Sequence, residues 1–305
     1  MNMSRWDRQI RAFGEEGQRR IASTRVGVVG VGGIGSQIIQ SLGYLGVEVI
    51  TILDHDHVDI TNLNRLVGAG PADAEQRVLK VAVAQRLLRQ INPSIKVHAL
   101  PYNLRTRQSI EALLACDIIF GCVDRDGPRL ILTEVAAAYE ITLIDAATEL
   151  GDPAKDPEAF GGRAVVARPG HFCLFCANQI DADLAKWELL SPSEKESRAA
   201  HGYGLGPEVP APSVISLNGI VANLAVTEFV MLRTGLREPN RMVTYKGMRG
   251  VVTRTTDDHR PDCYVCGYLV GQRERANVFR YANVEPGDTP SSPRTVPGSL
   301  DTREI

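Results

Sequence analysis

Four glycines stand together in Gly30-Val-Gly-Gly-Ile-Gly35, at positions 30, 32, 33 and 35, with Ser36 behind them. An apolar run over residues 25–30 leads into this loop, and a helical pattern over 34–45 leads out of it. Gly30, Gly32 and Gly35 form a GxGxxG pattern in the strand–loop–helix context that the pattern requires. Glycine lets the backbone turn tightly and approach a phosphate, and the helix N-terminus then offers free N–H groups and the positive end of a dipole. Asp54 lies nineteen residues beyond Gly35, at the end of the next apolar run, where a carboxylate binds ribose hydroxyls. These features serve a nicotinamide dinucleotide as well as ATP. For the glycines alone, the rival reading is close helix–strand packing.

The residues that follow separate the two cofactors. The stretch Asp54-His-Asp-His-Val-Asp-Ile-Thr-Asn-Leu-Asn-Arg65 carries more polar groups than a nicotinamide site needs. Arg65 and Lys80 add positive charge suited to phosphates, Arg as a fork and Lys as a point charge. Lys80 also reads as a solvated surface lysine. Asp124 closes a fourth apolar run, and in a doubly wound sheet Asp54 and Asp124 then face one crevice at the carboxyl ends of the strands. A carboxylate beside a triphosphate holds Mg²⁺; its alternative is a turn cap before Gly127-Pro128. Cys173-Leu-Phe-Cys176 and Cys263-Tyr-Val-Cys266 are two knuckles that together make a tetrahedral Zn²⁺ site. The 86 residues between them exceed a compact zinc ribbon, so redox and chance readings stay open at this point.

The elements that must position these groups follow from periodicity. Helices are expected over 4–20, 34–45, 75–91, 109–114, 128–139 and 214–232. Strands are expected over 25–30, 47–53, 95–100, 117–122, 141–145 and 161–167, with two short ones within 241–255. Strands alternating with helices over the first 146 residues predict a doubly wound, Rossmann-like α/β sheet. The organisation expected is a helical arm (1–24), an ATP-binding region (25–150), a C-terminal part of the same domain with crossover loop and zinc knuckles (151–283), and a disordered tail (284–305). Residues 177–209 show no clear period and read as a mobile loop.

Composition bounds the rest. The chain has 305 residues, 44% hydrophobic and 23% charged, enough to bury a real core. A net charge of −2 removes the main argument for nucleic-acid or membrane-surface binding. Six cysteines are too few for a disulfide scaffold. No targeting segment is visible, and residues 220–232 read as too short and too polar to span a bilayer. A cytoplasmic protein with reduced thiols is the expectation. Cys116 and Cys122 flank an apolar strand and read as core residues.

Taken in order, Arg5-Trp-Asp-Arg-Gln-Ile10, the loop from Gly30 to Ser36, Leu53-Asp-His-Asp56, Thr61-Asn-Leu-Asn-Arg65, Lys80, Ile91-Asn-Pro93, Asp124 with Arg129, and the two CxxC pairs resemble the ThiF/MoeB/HesA family, bacterial relatives of ubiquitin-activating enzymes. The resemblance covers residues 5 to about 267. It implies that Gly30, Gly32, Gly33, Gly35, Asp54, Asp56, Asn62, Asn64, Arg65, Lys80 and Asp124 hold ATP, with Mg²⁺ on Asp124. It implies that Arg8 enters the partner's nucleotide site in a homodimer, and that Arg8, Arg65, Lys80 and Asp124 serve catalysis. It implies a closed structural zinc on Cys173, Cys176, Cys263 and Cys266.

The chemistry implied is adenylation of the C-terminal carboxylate of a ubiquitin-like or sulfur-carrier protein ending in Gly-Gly, with release of pyrophosphate. A conjugating enzyme or sulfurtransferase would act downstream. Alternatives are adenylation of a short peptide's C-terminus, or a non-catalytic partner subunit of a heterodimeric enzyme. One departure matters. Thioester-forming members carry a cysteine in the crossover loop, and residues 177–214 contain none. Tyr203, Glu208 and Ser213 stand there instead, with His201 as the one histidine. Ser213 is the candidate acyl acceptor, and its other reading is a helix cap.

Overall fold

The structure, a computed structural model, describes residues 5–151, 159–200 and 212–284. Valine- and isoleucine-rich runs, which can be buried on both faces, form the centre of an eight-stranded sheet. In chain order the strands are β1 (Arg25–Val29), β2 (Val49–Leu53), β3 (Lys96–Leu100), β4 (Ile118–Gly121), β5 (Thr142–Leu150), β6 (Phe160–Ala167), β7 (Met242–Lys246) and β8 (Val251–Arg254). Their spatial order is β3-β2-β1-β4-β5-β6-β7-β8. The first five run parallel and the last three add on antiparallel. β5 runs on to Leu150, beyond the expected end at Asp145, because β6 pairs with it from Leu143 to Leu150.

The helices are α1 (Asp7–Ala22), α2 (Gly33–Leu45), α3 (Pro71–Glu75), α4 (Lys80–Ile91), α5 (Arg107–Leu114), α6 (Asp126–Ala138), α7 (Ala182–Leu189), α8 (Pro192–Ala200) and α9 (Ile215–Thr234). They cover both faces of the sheet. One core layer includes Ile38, Ile39, Leu42, Leu88, Val221 and Phe229 from α2, α4 and α9. The other includes Ile110, Leu113, Ile131, Leu132 and Val135 from α5 and α6. The fold expectation therefore holds, with a C-terminal extension that returns to α6 through Val265, Leu269 and Val278.

Three element expectations need correction. The helix expected over 75–91 begins only at Lys80, after a separate short helix, α3, that ends at Glu75. Arg77 adopts φ +49°, which stops α3, and the chain between crosses to His57–Val58 before α4 begins. Lys80 thus becomes the first residue of α4. The loop over 177–209 contains α7 and α8. Asp181 caps α7 by accepting from the N–H groups of Asp183 at 2.9 Å and Leu184 at 3.0 Å. α1 also breaks at Phe13-Gly14, where Gly14 takes φ +77°. The disordered tail, apart from Val284, lies outside the described residues.

α9 is longer than the expected apolar run. Its 20 residues include an 18-residue window with a mean hydropathy of 1.6, long and apolar enough to cross a membrane. In this fold, though, Leu217, Val221, Ala225 and Phe229 are buried, and Phe229 packs on Phe120 of β4 at 5.8 Å between ring centroids.

Candidate active site

The glycine loop is held by two backbone contacts that only glycine allows and by one close side-chain contact. Gly30 has φ +91°, and a Cβ there would lie 2.5 Å from the Cys122 carbonyl oxygen. A Cβ on Gly35 would lie 1.9 Å from the Gly30 carbonyl oxygen. One on Gly33 would lie 2.1 Å from Nδ2 of Asn218. Gly32 differs, because its missing Cβ faces open space. Gly32 is also the N-cap of α2 and no side chain caps that end. The first N–H groups of α2 are therefore offered outward, where an anion can accept from them. Gly35→Ala is expected to break this turn and weaken ATP binding by at least about tenfold, checked by equilibrium titration beside a circular-dichroism spectrum of the folded variant.

Asp54 ends β2 and ties the loop in place. Its Oδ2 accepts from the N–H of Val31 at 2.6 Å and its Oδ1 from the N–H of Asp56 at 2.8 Å. Burial pushes this carboxyl above the ordinary range and Asp56 adds to the push, while Lys80 and the two N–H donors oppose it. Each oxygen keeps lone-pair capacity for a ribose hydroxyl. The Lys80 ammonium donates to Asp56 Oδ2 at 2.7 Å, and its side chain is only 12% exposed. The solvated-surface reading of Lys80 therefore fails.

Asp59 caps a short 3₁₀ turn, Ile60–Asn62, by accepting from the Thr61 N–H at 2.9 Å, and Asn62 Oδ1 accepts from the Asp59 N–H at 3.1 Å. This turn aims Arg65. Its guanidinium donates to the Thr61 carbonyl at 2.5 Å and to Asn64 Oδ1 at 3.0 Å, and its Cδ comes within 3.4 Å of the Cβ position of Gly33. Arg65 thus lies against the glycine loop.

Asp124 is exposed, just beyond the carboxyl end of β4 and across β1 from Asp54. Arg129 braces its loop, donating to the Val123 carbonyl at 3.0 Å and to Asp126 at 2.9 Å. Behind Arg129 lies fully buried Asp145, paired with Arg163 at 2.5 Å. Gly30, Gly32, Gly33, Gly35, Asp54, Asp56, Asn62, Asn64, Arg65, Lys80 and Asp124 are thus carried by the loops at the carboxyl ends of β1, β2 and β4 and by the adjoining helix starts, where such a sheet binds ligands. The donor set suits a nucleoside triphosphate with a divalent cation on Asp124.

Arg8 is not brought there. It is exposed in the first turn of α1, which packs on the other end of α2: Gln9 donates to the Tyr44 carbonyl at 3.0 Å, and the Trp6 indole abuts Gly46. The 13 residues of α2 span about 20 Å, so Arg8 sits far from the glycine loop of its own chain.

The four knuckle cysteines do converge. Sγ–Sγ separations are 3.5 Å for Cys173–Cys263 and 3.7 Å for both Cys173–Cys176 and Cys176–Cys266. Four sulfurs at about 2.3 Å from a tetrahedral zinc stand about 3.7–3.8 Å apart, well beyond a disulfide. The set fits Zn²⁺. Burial pushes the Cys116 thiol up to about 11 and raises that of Cys122, as core positions do.

Ser213 Oγ accepts from Asn218 Nδ2 at 3.0 Å. A carboxamide takes no proton, so this partner is not a general base. Nor is Ser213 a cap, since Val214 holds that position. His201, Tyr203 and Glu208 lie outside the described residues. Asn218, Asp145 and Arg163 escaped the sequence reading; a single Asn in the apolar run 214–222 was the available signal for the first.

A family model described as the ThiF family matches residues 6–265. The chain is 27% identical over 278 residues to a sulfur carrier protein adenylyltransferase of Thermus thermophilus, covering 89% of this chain and 93% of that one. It is 27% identical over 268 residues to the adenylyltransferase and sulfurtransferase MOCS3 of Mus musculus, covering 86% of this chain and 52% of the mouse protein, about half its length. Its fold resembles that of E. coli MccB solved with ATP, with a TM-score of 0.67 at 19% identity, over 87% of this chain and 75% of that one. Because this family model matches residues 6–265 of the 305, the chain belongs to the ThiF family.

Proposed function

We propose that this chain is an ATP-dependent adenylyltransferase that activates the C-terminal glycine carboxylate of a ubiquitin-like or sulfur-carrier protein and forms no cysteine thioester of its own. The observation that carries this reading is that the uncapped start of α2 with Arg65 against it, Lys80 on Asp56, and exposed Asp124 all lie at the carboxyl-end loops of β1, β2 and β4. The names of the full-length relatives support the reaction class. Mg²⁺, held by Asp124, would neutralise charge on the leaving pyrophosphate. The N–H groups of α2 bind phosphate oxygens and Asp54 orients the ribose. Arg65 stabilises the charge that builds at the α-phosphate, and Lys80 donates along the chain of phosphates. The attacking carboxylate is already ionised, so positioning and charge stabilisation suffice, without a general base.

This reading includes a homodimer, a cytoplasmic location, a structural zinc and a downstream sulfurtransferase or conjugating enzyme. The intact set Arg65, Lys80 and Asp124 weighs against a non-catalytic subunit. The test is ATP–pyrophosphate exchange with a carrier protein ending in Gly-Gly. Exchange that needs the carrier, and falls on the order of a thousandfold in Arg65→Ala, is the expected result. Exchange absent with every such carrier in the host would overturn it.

A further inference from the structure

The side chain packed most tightly on the phosphate loop comes from the far end of the chain. Asn218 lies in the first turns of α9 and is 1% exposed. Its Nδ2 occupies the place a Cβ on Gly33 would need, at 2.1 Å, and a Cβ there would lie 3.0 Å from its Cγ. The same Nδ2 donates to Ser213 Oγ at 3.0 Å, and Asn218 Oδ1 accepts from Thr148 Oγ1 of β5 at 3.5 Å. One carboxamide thus touches the phosphate loop, the sheet and the end of the crossover segment. A second tie runs beside it. Gln37 of α2 donates to the Ile215 carbonyl at 3.0 Å, and a Cβ on Gly219 would meet Gln37 Oε1 at 2.9 Å.

A buried carboxamide in an apolar helix is costly unless its groups are paired; here Ser213 and Thr148 pair it, and that pairing holds its Nδ2 against Gly33 of the phosphate loop. Gly33 is the first residue of α2, so its placement sets the direction of the N–H groups offered to phosphate. An amide is suited to this place: it adds donors without a negative charge beside an anion.

We propose that Asn218 is a positioning residue for ATP, which sets the Gly33 turn and joins the start of α9, with Ser213, to the nucleotide site. The inference rests on the ATP reading above and adds a residue and a physical link to it.

Two variants with the same branching and side-chain heavy-atom count test it. Asn218→Leu removes the hydrogen bonds and keeps the branched shape, with somewhat greater bulk. Asn218→Asp keeps the acceptor for Thr148 but replaces the donor with a negative charge beside the phosphate loop. Each is first checked for folding by thermal melting, and ATP is then titrated by calorimetry. The expected result is an ATP Kd raised about tenfold in Asn218→Leu. In Asn218→Asp it rises about a hundredfold, with the excess over Leu shrinking at high salt. Hydrogen exchange adds a readout that packing alone would not move: ATP should protect the amides of residues 213–219 together with those of 32–36 in the wild-type chain.

ATP affinity unchanged in folded Asn218→Asp, or protection confined to 32–36, would overturn this inference and leave the ATP reading standing. A wild-type chain that binds no ATP would overturn the ATP reading itself, and this inference with it. Should Asn218→Leu fail to fold, Asn218→Asp and the wild-type exchange pattern still decide.

Discussion

An equimolar population of Arg8→Ala and Asp124→Ala chains, co-expressed and purified together, is expected to recover about a quarter of the wild-type exchange activity, although each variant alone is inactive on the order of a thousandfold. The geometry makes this expectation specific. Asp124 borders the crevice of its own chain, while Arg8 lies beside the opposite end of α2. About 20 Å of helix separates Arg8 from its own phosphate loop, so under the proposed function it would act only in a second copy. In a two-fold dimer of mixed chains, one site then combines intact Arg8 from one copy with intact Asp124 from the other, and the second site lacks both. Half of the dimers are mixed and each carries one working site, which gives about a quarter. Pyrophosphate exchange on the mixed population checks it. A mixture as inactive as its components, or an Arg8→Ala chain with full activity, would remove Arg8 from the site.

Removing the metal from the cysteine knuckles is expected to have the largest effect on stability. Cys173 and Cys176 follow β6, while Cys263 and Cys266 belong to the extension after β8, 90 residues along the chain in each pairing. A metal there cross-links two distant segments, and structural zinc contributes about 10–16 kcal/mol of binding free energy in small peptides. Val265, Leu269 and Val278 of the extension pack in the same core layer as Ile131 and Val135 of α6. Loss of the cross-link frees that layer as well as the knuckles. Elemental analysis is expected to find one zinc per chain. Chelator treatment, or Cys263→Ser, should lower Tm by roughly 10 °C or more. A purified chain without zinc but with an unchanged melting temperature in Cys263→Ser would show that the four thiols are merely close.

Much of the site was legible because its signals are local. The glycine spacing, the acid nineteen residues on and the apolar runs around them are short-range patterns whose structural consequences do not depend on distant partners. Lys80 was legible as a candidate phosphate ligand, but its rival reading as a solvated surface lysine could not be decided locally. Whether it is solvated depends on the break at Arg77 and on Asp56, 24 residues earlier in the chain. α7 was hidden by weak periodicity, although Asp181 announces it as a cap. The bracing of the Asp124 loop by Arg129, Asp145 and Arg163 joins three elements, and antiparallel pairing of β5 with β6 creates it. Local sequence carries no such register. Asn218 belongs to the same class: its meaning comes from contacts with Gly33 and Thr148, 185 and 70 residues away.

The absence of a crossover cysteine gives the account its sharpest content. Cys116 and Cys122 have thiols raised by burial, and the remaining four cysteines form a cluster that fits zinc. The enzyme is therefore expected to stop at the acyl adenylate and pass it to an acceptor supplied by another molecule. Intact-mass spectrometry of chain, carrier protein, ATP and Mg²⁺, quenched in acid, tests this most directly. The predicted spectrum shows the carrier bearing one adenylyl group on its C-terminal glycine and the enzyme at its unmodified mass. An enzyme–carrier adduct cleaved by thiols, or a carrier that never gains an adenylyl group, would contradict it.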